Sequence, residues 1–298
     1  FSRIVAKKLN LPIVHTYHTL YEDYVHYVTH GHFNNLAKKL AIKITKYYCE
    51  KKCDELIVPT DKIKDLFINK YNISQPINVI PTGIDIDKFK LTSNIKKEIE
   101  SIKKKYKIKD TDFIIGSVGR IAPEKSFDKL LYNIKEMIKV NTNIKVMIVG
   151  GGPDLDNLKE LTKKLHLEDY VIFTDKVNYD LVPAYFNTFN VIVSFSKTET
   201  QGLTIIEGLA ASKPTICIED DSFKAMIEPN YNGYLFKNDN EFKDYIFKLM
   251  NDKKLYKDMS TNARNSTYKY SKEVFASEVL KVYHKAIEKK SNSKKIED

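Results

Sequence analysis

Residues 191 to 211 read VIVSFSKTETQGLTIIEGLAA. Val191 to Phe195 is short, apolar and β-branched, the pattern of a buried strand. Glu199 follows in a polar loop. Gly202, Leu203 and Thr204 then open a helix that runs to Ala211 and carries Glu207 in its first turns. A strand that passes through a polar loop straight into a helix is half of a βαβ unit, and this unit sets the fold class. The amides at the helix start suit a phosphate, because unpaired N–H groups and the helix dipole both favour an anion there. One carboxylate before the helix and one within it suit hydrogen bonds to sugar hydroxyls. The Thr204 to Glu207 spacing equally fits a capping box, S/T-x-x-E, which would spend that polarity on the helix end itself.

The same alternation extends outward. Downstream, Pro214 to Ile218 reads as a strand, Asn232-Gly233 as a turn, and the rest as helices. Upstream, strands at Phe113–Val118, Ile144–Val149 and Val171–Phe173 alternate with helices at Phe127–Val140, from Asp154 to about His166, and at Leu181–Phe186. Five short strands with helices between them predict an α/β doubly wound parallel sheet. A second series precedes it: strands at Ile13–Thr16, Asp54–Val58 and Ile77–Ile80, with helices at Leu36–Lys52 and Ile63–Lys70. In the first of these helices Leu36, Leu40, Ile44 and Tyr47 recur at helical spacing, with Lys39, Lys43 and Lys46 on another face. The Lys-rich stretch from Lys96 to Lys109 reads as an exposed helix or linker. The expected domains are therefore 1–109 and 110–272, followed by a C-terminal helix and polar tail over 273–298.

In open parallel sheets ligands gather at the carboxyl ends of the strands, and the remaining polar clusters fall there. Val118 is followed by Gly119-Arg120, with Lys125 five residues further on, a fork and a point charge suited to a diphosphate. Gly150-Gly151-Gly152-Pro153-Asp154 follows the next strand. It is neither a dinucleotide fingerprint nor a P-loop, and it suits either close approach of a ligand to Gly151 or a plain tight turn. His15 and His18 end the first strand, just before Tyr21-Glu22-Asp23.

Composition excludes several classes. At 298 residues, 42% hydrophobic and 30% charged, the chain is globular and large enough for two domains. No apolar run approaches the ~20 residues of a membrane-spanning helix. Three cysteines point to a reducing compartment, and Cys49 and Cys53 lack the further ligands of a zinc site. The net charge of +10 lies entirely before residue 110, where 21 Lys/Arg face 11 Asp/Glu; beyond it there are 28 of each. Such an excess suits an anionic partner, whether lipid headgroup, nucleic acid or acidic substrate. It equally suits a solvated face.

Together, Gly119-Arg120 with Glu124-Lys125, the Gly-Gly-Gly-Pro-Asp turn, Glu199 and Glu207 in E-x7-E spacing, Thr82-Gly83-Ile84-Asp85 and the Asn232-Gly233 turn resemble the retaining GT-B glycosyltransferases of glycosyl transferases group 1. The opening I-V-H-T-Y-H-T-L-Y-E-D-Y and Thr198 to Gly202 look like the branch of bacterial 1,2-diacylglycerol 3-glucosyltransferases. The resemblance implies two Rossmann-like domains facing a cleft, with the N-terminal one incomplete by about 60 to 100 residues. It implies that Arg120 and Lys125 bind a donor diphosphate and that Gly151, Gly202, Leu203 and Thr204 offer backbone to the donor. Glu207 would hold a ribose and Glu199 the transferred sugar. His18 would lie beside the reacting centre, and Tyr21, Glu22 and Asp23 toward the acceptor. Ser126 stands where the family usually has Gly, and Gly208 where Ala is common.

The expected activity is transfer of a hexose, glucose from UDP-glucose, to diacylglycerol with retention of configuration. It needs no cofactor and no metal; Asp85-Ile86-Asp87 has the form of a metal motif but lies between the domains. The expected partners are the nucleotide-sugar donor, the lipid acceptor and an anionic membrane surface touched by Lys39, Lys43 and Lys46, not nucleic acid. That places the protein in the cytoplasm, peripheral on the inner face of the plasma membrane. The rival readings are a transferase with the same donor site and a soluble or envelope glycan acceptor, an NAD-linked oxidoreductase, and a basic nucleic-acid-binding protein. The absent dinucleotide fingerprint and the lack of any RNP-like or zinc motif count against the last two.

Overall fold

The computed structural model describes residues 2–22, 25 and 33–297. The chain forms two compact units: Phe1–Gly83 with Lys272–Asp298, and Ile84–Ser271.

The first unit contains a three-stranded parallel sheet, β1 (Val14–Thr16), β2 (Glu55–Val58) and β3 (Ile77–Val79), in that order. Helix α1 (Ser2–Lys8) precedes β1, and α2 (Asn34–Lys51) joins β1 to β2. Helix α3 (Asp61–Asp65) continues as a π-helical turn over Leu66–Lys70 and leads toward β3. Strand β2 is central and fully buried, which is why ELIV is an unbroken apolar run after its glutamate.

The second unit contains six parallel strands: β4 (Phe113–Val118), β5 (Ile144–Val149), β6 (Val171–Phe173), β7 (Val191–Ser194), β8 (Thr215–Ile218) and β9 (Gly233–Phe236). Their order is β6-β5-β4-β7-β8-β9. This is the doubly wound order, and it reverses between β4 and β7. Helices α4 (Ser93–Lys105), α5 (Phe127–Met137), α6 (Leu155–Lys164), α7 (Val182–Thr188), α8 (Leu203–Ala210), α9 (Asp221–Lys224), α10 (Asp239–Asn251) and α11 (Lys253–Asn265) accompany them. One apolar core, from Phe89 to Tyr270, binds the unit together.

Four expectations change. The boundary does not fall at 109/110. The Lys-rich stretch is helix α4, capped by the Thr92 hydroxyl, which accepts from the Ile95 amide at 3.3 Å. Ile95 and Ile102 are buried in the second unit's core, so the lysines between them are the wet face of an amphipathic helix, not a linker. The chain enters and leaves this unit side by side, where Ile84 pairs with Ser271 and its amide donates to the Tyr270 carbonyl at 2.9 Å.

The C-terminal segment is likewise no separate tail. Helix α12 (Lys272–Glu297) packs Phe275, Val279 and Val282 against Val14, Ile57 and Ile80 of the first unit. Its Lys285 reaches the buried Glu55 carboxylate at 3.0 Å, and Lys289 bonds the other oxygen. Burial pushes the Glu55 carboxyl up, but Lys289, Asn78 and Lys285 outweigh it and hold it below the ordinary value.

The turn at Asn232-Gly233 is followed not by helix but by edge strand β9, whose Gly233 must be glycine because a Cβ would lie 2.1 Å from the Thr215 carbonyl. Finally, α2 turns Thr45 and Cys49 into the core, while Leu36, Leu40, Ile44 and Tyr47 are 67%, 56%, 48% and 48% exposed. The stripe read as the helix's periodic face is on the outside, bordered by Lys39, Lys43 and Lys46. Within these units, the first carries nineteen Lys/Arg against twelve Asp/Glu and the second thirty against twenty-seven.

Candidate active site

The reversal of strand order between β4 and β7 leaves a crevice at their carboxyl ends, because the connections on either side depart in opposite directions. Both loops that border it carry the residues expected there. After β4 the chain passes Gly119 and the exposed Arg120, then makes a 3₁₀ turn over Pro123–Lys125. After β7 it passes Ser196, Thr198 and Glu199 before α8 begins. Across the crevice the Lys125 ammonium is bonded to the Glu199 carboxylate, with about a fifth of each side chain exposed. Residues 74 positions apart are thus brought into direct contact by the sheet topology. The pair holds a cation suited to phosphate beside a carboxylate suited to hydroxyls.

Local backbone conformation builds this arrangement. Gly150 has φ of 138°, and a Cβ there would lie 1.9 Å from the Gly119 carbonyl. The β5 loop therefore lies directly against the β4 loop, and Ile121 and Gly151 complete the contact through an N–H to carbonyl bond of 3.1 Å. Packing demands Gly150 and also Gly152, whose Cβ would lie 2.0 Å from the Ile121 carbonyl, but not Gly151, whose Cβ position meets Lys176 no closer than 3.2 Å. Gly202 sits left-handed, φ 79°, as the N-cap of α8, where a Cβ would meet the Phe223 ring at 2.9 Å. The capping box does not form: Gly202 is the cap and has no side chain to close the helix start, where the amides of Leu203 and Thr204 stand at the positive end of the helix dipole.

Glu207 lies one turn inside α8. Burial pushes its carboxyl up from 4.5 to about 7. A carboxylate kept in a desolvated place without a compensating cation is a common mark of a functional group.

The loop after β8 was not singled out by sequence, yet it supports the site. The Ser222 hydroxyl donates to the Glu199 carbonyl at 2.5 Å, and its own amide donates to the Asp220 carboxylate at 2.9 Å. Phe223 packs on Gly202. The Ser196 and Thr198 hydroxyls are buried without a partner, polar atoms held beside Glu199 in the chain. Asp87 of the D-x-D segment is spent on structure, paired with Arg264 at 2.9 Å, while that arginine also bonds the Ile86 and Ala210 carbonyls.

In the first unit, His15 lies in β1 and His18 just beyond its carboxyl end. Burial holds His18 below the ordinary imidazole value, and it holds His15 there too, with Arg3 and His18 adding to the effect. The Thr82 hydroxyl lies 3.4 Å from His18 Nδ1, so the Thr82-Gly83 segment buttresses the ring. Tyr21 is exposed. Glu22 is not turned outward: it is 5% exposed and takes the phenol hydrogen bond of Tyr71, which fixes the loop from below. Asp23 lies outside the described residues. Lys39 and Lys43 are exposed and Lys46 partly so.

Residues 98–266 match the family of glycosyl transferases group 1, and residues 1–88 match Glycosyltransferase Family 4. The chain is 36% identical, over 98% of its length and 73% of the relative's, to an alpha-monoglucosyldiacylglycerol synthase of Acholeplasma laidlawii. It is 30% identical, over 83% of its length, to the synthase of the same name from Streptococcus pneumoniae, of which it spans 55%. Among solved structures, Anabaena HepE in complex with UDP and glucose superimposes with a TM-score of 0.76 at 18% identity, covering 94% of this chain and 73% of that one. Sucrose-phosphate synthase from Thermosynechococcus elongatus does so with a TM-score of 0.79 at 19% identity, covering 95% and 71%. These two establish the shared GT-B fold. With the E-x7-E carboxylates at the strand-order reversal and the family match over more than half its length, the chain belongs to the glycosyl transferases group 1 family.

Proposed function

We propose that the protein transfers glucose from UDP-glucose to the free hydroxyl of diacylglycerol, with retention of configuration, at the cytoplasmic face of a membrane. The observation that carries this reading is the meeting of Lys125 and Glu199 at the β4/β7 switch point, in a chain 36% identical to a relative named for glucosyldiacylglycerol synthesis. In the proposed chemistry the bond between the sugar's anomeric carbon and the UDP β-phosphate oxygen breaks. The glycerol oxygen forms the new bond on the same face, and its proton passes to the departing phosphate. Charge grows on the diphosphate as the bond breaks. In this reading Arg120, Lys125 and the amides of Leu203 and Thr204 neutralise it, the part of such a reaction where a preorganised site gains most. Donor entry exchanges the Lys125–Glu199 pair for Lys125–phosphate and Glu199–sugar contacts. In this reading Glu207 accepts from the ribose hydroxyls. Neither a metal nor a cofactor is assigned a part.

The acceptor lives in a bilayer, and the first unit carries a face suited to one. Among the described residues no helix is long and apolar enough to cross a membrane. Helix α2 instead exposes Leu36, Leu40, Ile44 and Tyr47 beside Lys39, Lys43 and Lys46. Each cation near an anionic surface contributes about 1 kcal/mol, and apolar side chains that enter the interface add to it. The test is incubation of the chain with a panel of nucleotide sugars and diacylglycerol vesicles, with products identified by mass and by the anomeric proton coupling. One α-linked glucose on diacylglycerol supports the reading. Products only on soluble or envelope glycans would replace the acceptor and keep the donor site.

A further inference from the structure

Glu199 stands between β7 and α8, in a stretch from Phe195 to Gly202 that is neither strand nor helix. Main chain with no ladder or helix to hold it takes its course from the side chains that reach it. The neighbouring strand supplies such a contact. Ser194 at the end of β7 pairs with Cys217 of β8, so the chain leaves the two strands side by side. Just beyond β8, Ser222 is fully buried, and its hydroxyl donates to the Glu199 carbonyl at 2.5 Å. The Asp220 carboxylate accepts the Ser222 amide at 2.9 Å and so fixes the main chain that carries this hydroxyl. Phe223, also fully buried, closes on the other end of the stretch: a Cβ on Gly202 would lie 2.9 Å from its ring and 3.3 Å from the Met226 methyl. The segment that begins with α9 therefore grips the stretch at two main-chain points, Glu199 and Gly202, while Lys125 grips the Glu199 carboxylate.

We propose that Ser222 is a positioning residue for sugar transfer, an assignment that rests on the donor reading given above. In that reading Lys125 gives up the Glu199 carboxylate when the diphosphate arrives. The Ser222 bond is made to main chain and competes with no group of the donor, so it outlasts that exchange and keeps the carboxylate aimed at the transferred sugar. The hydrogen bonds of Ser222 go to Glu199 and Asp220, not to a residue assigned to the diphosphate or the ribose. Its loss should therefore be felt by the sugar and not by the nucleotide. The rival is a plain packing role, in which a buried serine serves only the fold.

The experiment uses the whole chain in mixed micelles with UDP-glucose and dioleoylglycerol, and compares wild type, Ser222→Ala, Glu199→Ala and the double variant. Ser222→Ala should lower kcat by about tenfold or more, since a displacement of ~1 Å caused away from the reacting atoms can cost about 10²-fold. Affinity for UDP, read by calorimetry, should stay within about twofold of wild type. In the Glu199→Ala background the same change should move kcat by less than about twofold, because no carboxylate remains to be aimed. Ser222→Cys fills the space but donates weakly, and should be as slow as Ser222→Ala. Wild-type turnover in Ser222→Ala, an equal fold-loss in both backgrounds, a matching loss of UDP affinity, or full turnover with cysteine each overturns the proposal. A second readout needs no variant to fold. In amide shift mapping of the wild-type chain, the further shift that UDP-glucose produces over UDP at the Glu199 amide should be matched by one at the Ser222 amide. A Glu199 amide that moves while Ser222 stays still overturns the coupling, and no further shift at either removes Glu199 from the sugar and the proposal with it. If product analysis finds another hexose or another acceptor, the function proposed above falls, and the same four proteins run with that pair decide on Ser222.

Discussion

Replacing Glu207 with Gln should make the protein more stable and at the same time a poorer donor binder. Burial carries this carboxyl from 4.5 to about 7. The folded chain therefore holds the proton more tightly than the unfolded chain. Stability from the protonated form is fully present below pH 4.5 and is lost as pH rises through about 7. Each factor of ten in proton affinity is worth about 1.4 kcal/mol, so ionised Glu207 costs the free fold about 3 kcal/mol at pH 8. Glutamine has the same shape and no charge. The variant should melt roughly 5–10 °C higher at pH 8 and almost unchanged at pH 5, given the usual 2–4 °C per kcal/mol for a unit of this size. Ribose hydroxyls are the partners that would make the carboxylate worth keeping. Loss of a charge-assisted hydrogen bond costs about 1.5–3 kcal/mol, so UDP should bind the variant roughly 10- to 100-fold more weakly in calorimetric titration. A variant less stable than wild type at pH 8, with UDP affinity unchanged, would refute the reasoning and remove Glu207 from the donor site.

Other expectations are simpler. Arg120→Ala and Lys125→Ala should each lower kcat by about 10²–10³ with a smaller change in KM, as loss of a charge-stabilising contact does elsewhere; steady-state kinetics near wild type in both would make them surface charges. Ser126 holds a left-handed conformation, φ 52°, where an L side chain is strained, so Ser126→Gly should raise stability by up to ~1 kcal/mol in chemical denaturation; a loss would contradict this. Glu55→Ala should loosen α12 by about 2 kcal/mol and expose its amides to faster hydrogen exchange. Because the Glu55 carboxyl is held low, the same loosening should appear in wild type as pH falls through that lowered value, and not above the ordinary carboxylate range. The triple change of Lys39, Lys43 and Lys46 to Glu should abolish sedimentation with anionic vesicles while sparing UDP affinity; sedimentation like wild type would clear this face of membrane contact.

Much of the second unit was legible because its strands are buried on both faces. Runs such as Ile144–Val149 have one role, and the end of that run is marked by Gly150, which its packing on the Gly119 carbonyl makes necessary. The site was legible for the same reason: ligands in this topology gather where strands end, and Lys125 and Glu199 are at two such ends. What escaped depended on contacts made far along the chain. The periodic stripe of α2 fits a core face as well as an exposed one, and only the docking of Thr45 and Cys49 decides which. The lysines of α4 outnumber its isoleucines, so composition left an exposed helix and a linker equally open where Ile95 and Ile102 anchor a helix in the core. Glu22 sits in a polar motif that points to an acceptor, yet Tyr71, 49 residues away, draws it inward. Ser222 has no motif; its role exists only because β8 lies next to β7.

A donor site at the β4/β7 switch point is tested most directly by amide chemical-shift mapping of the isotopically labelled chain during titration with UDP. The shifts should concentrate in Gly119–Lys125, around Gly151, and in Glu199–Glu207. The Leu203 and Thr204 amides should move most, because the diphosphate would be their first partner. Shifts confined to the first unit, or to the strands remote from the switch point, would contradict the central claim.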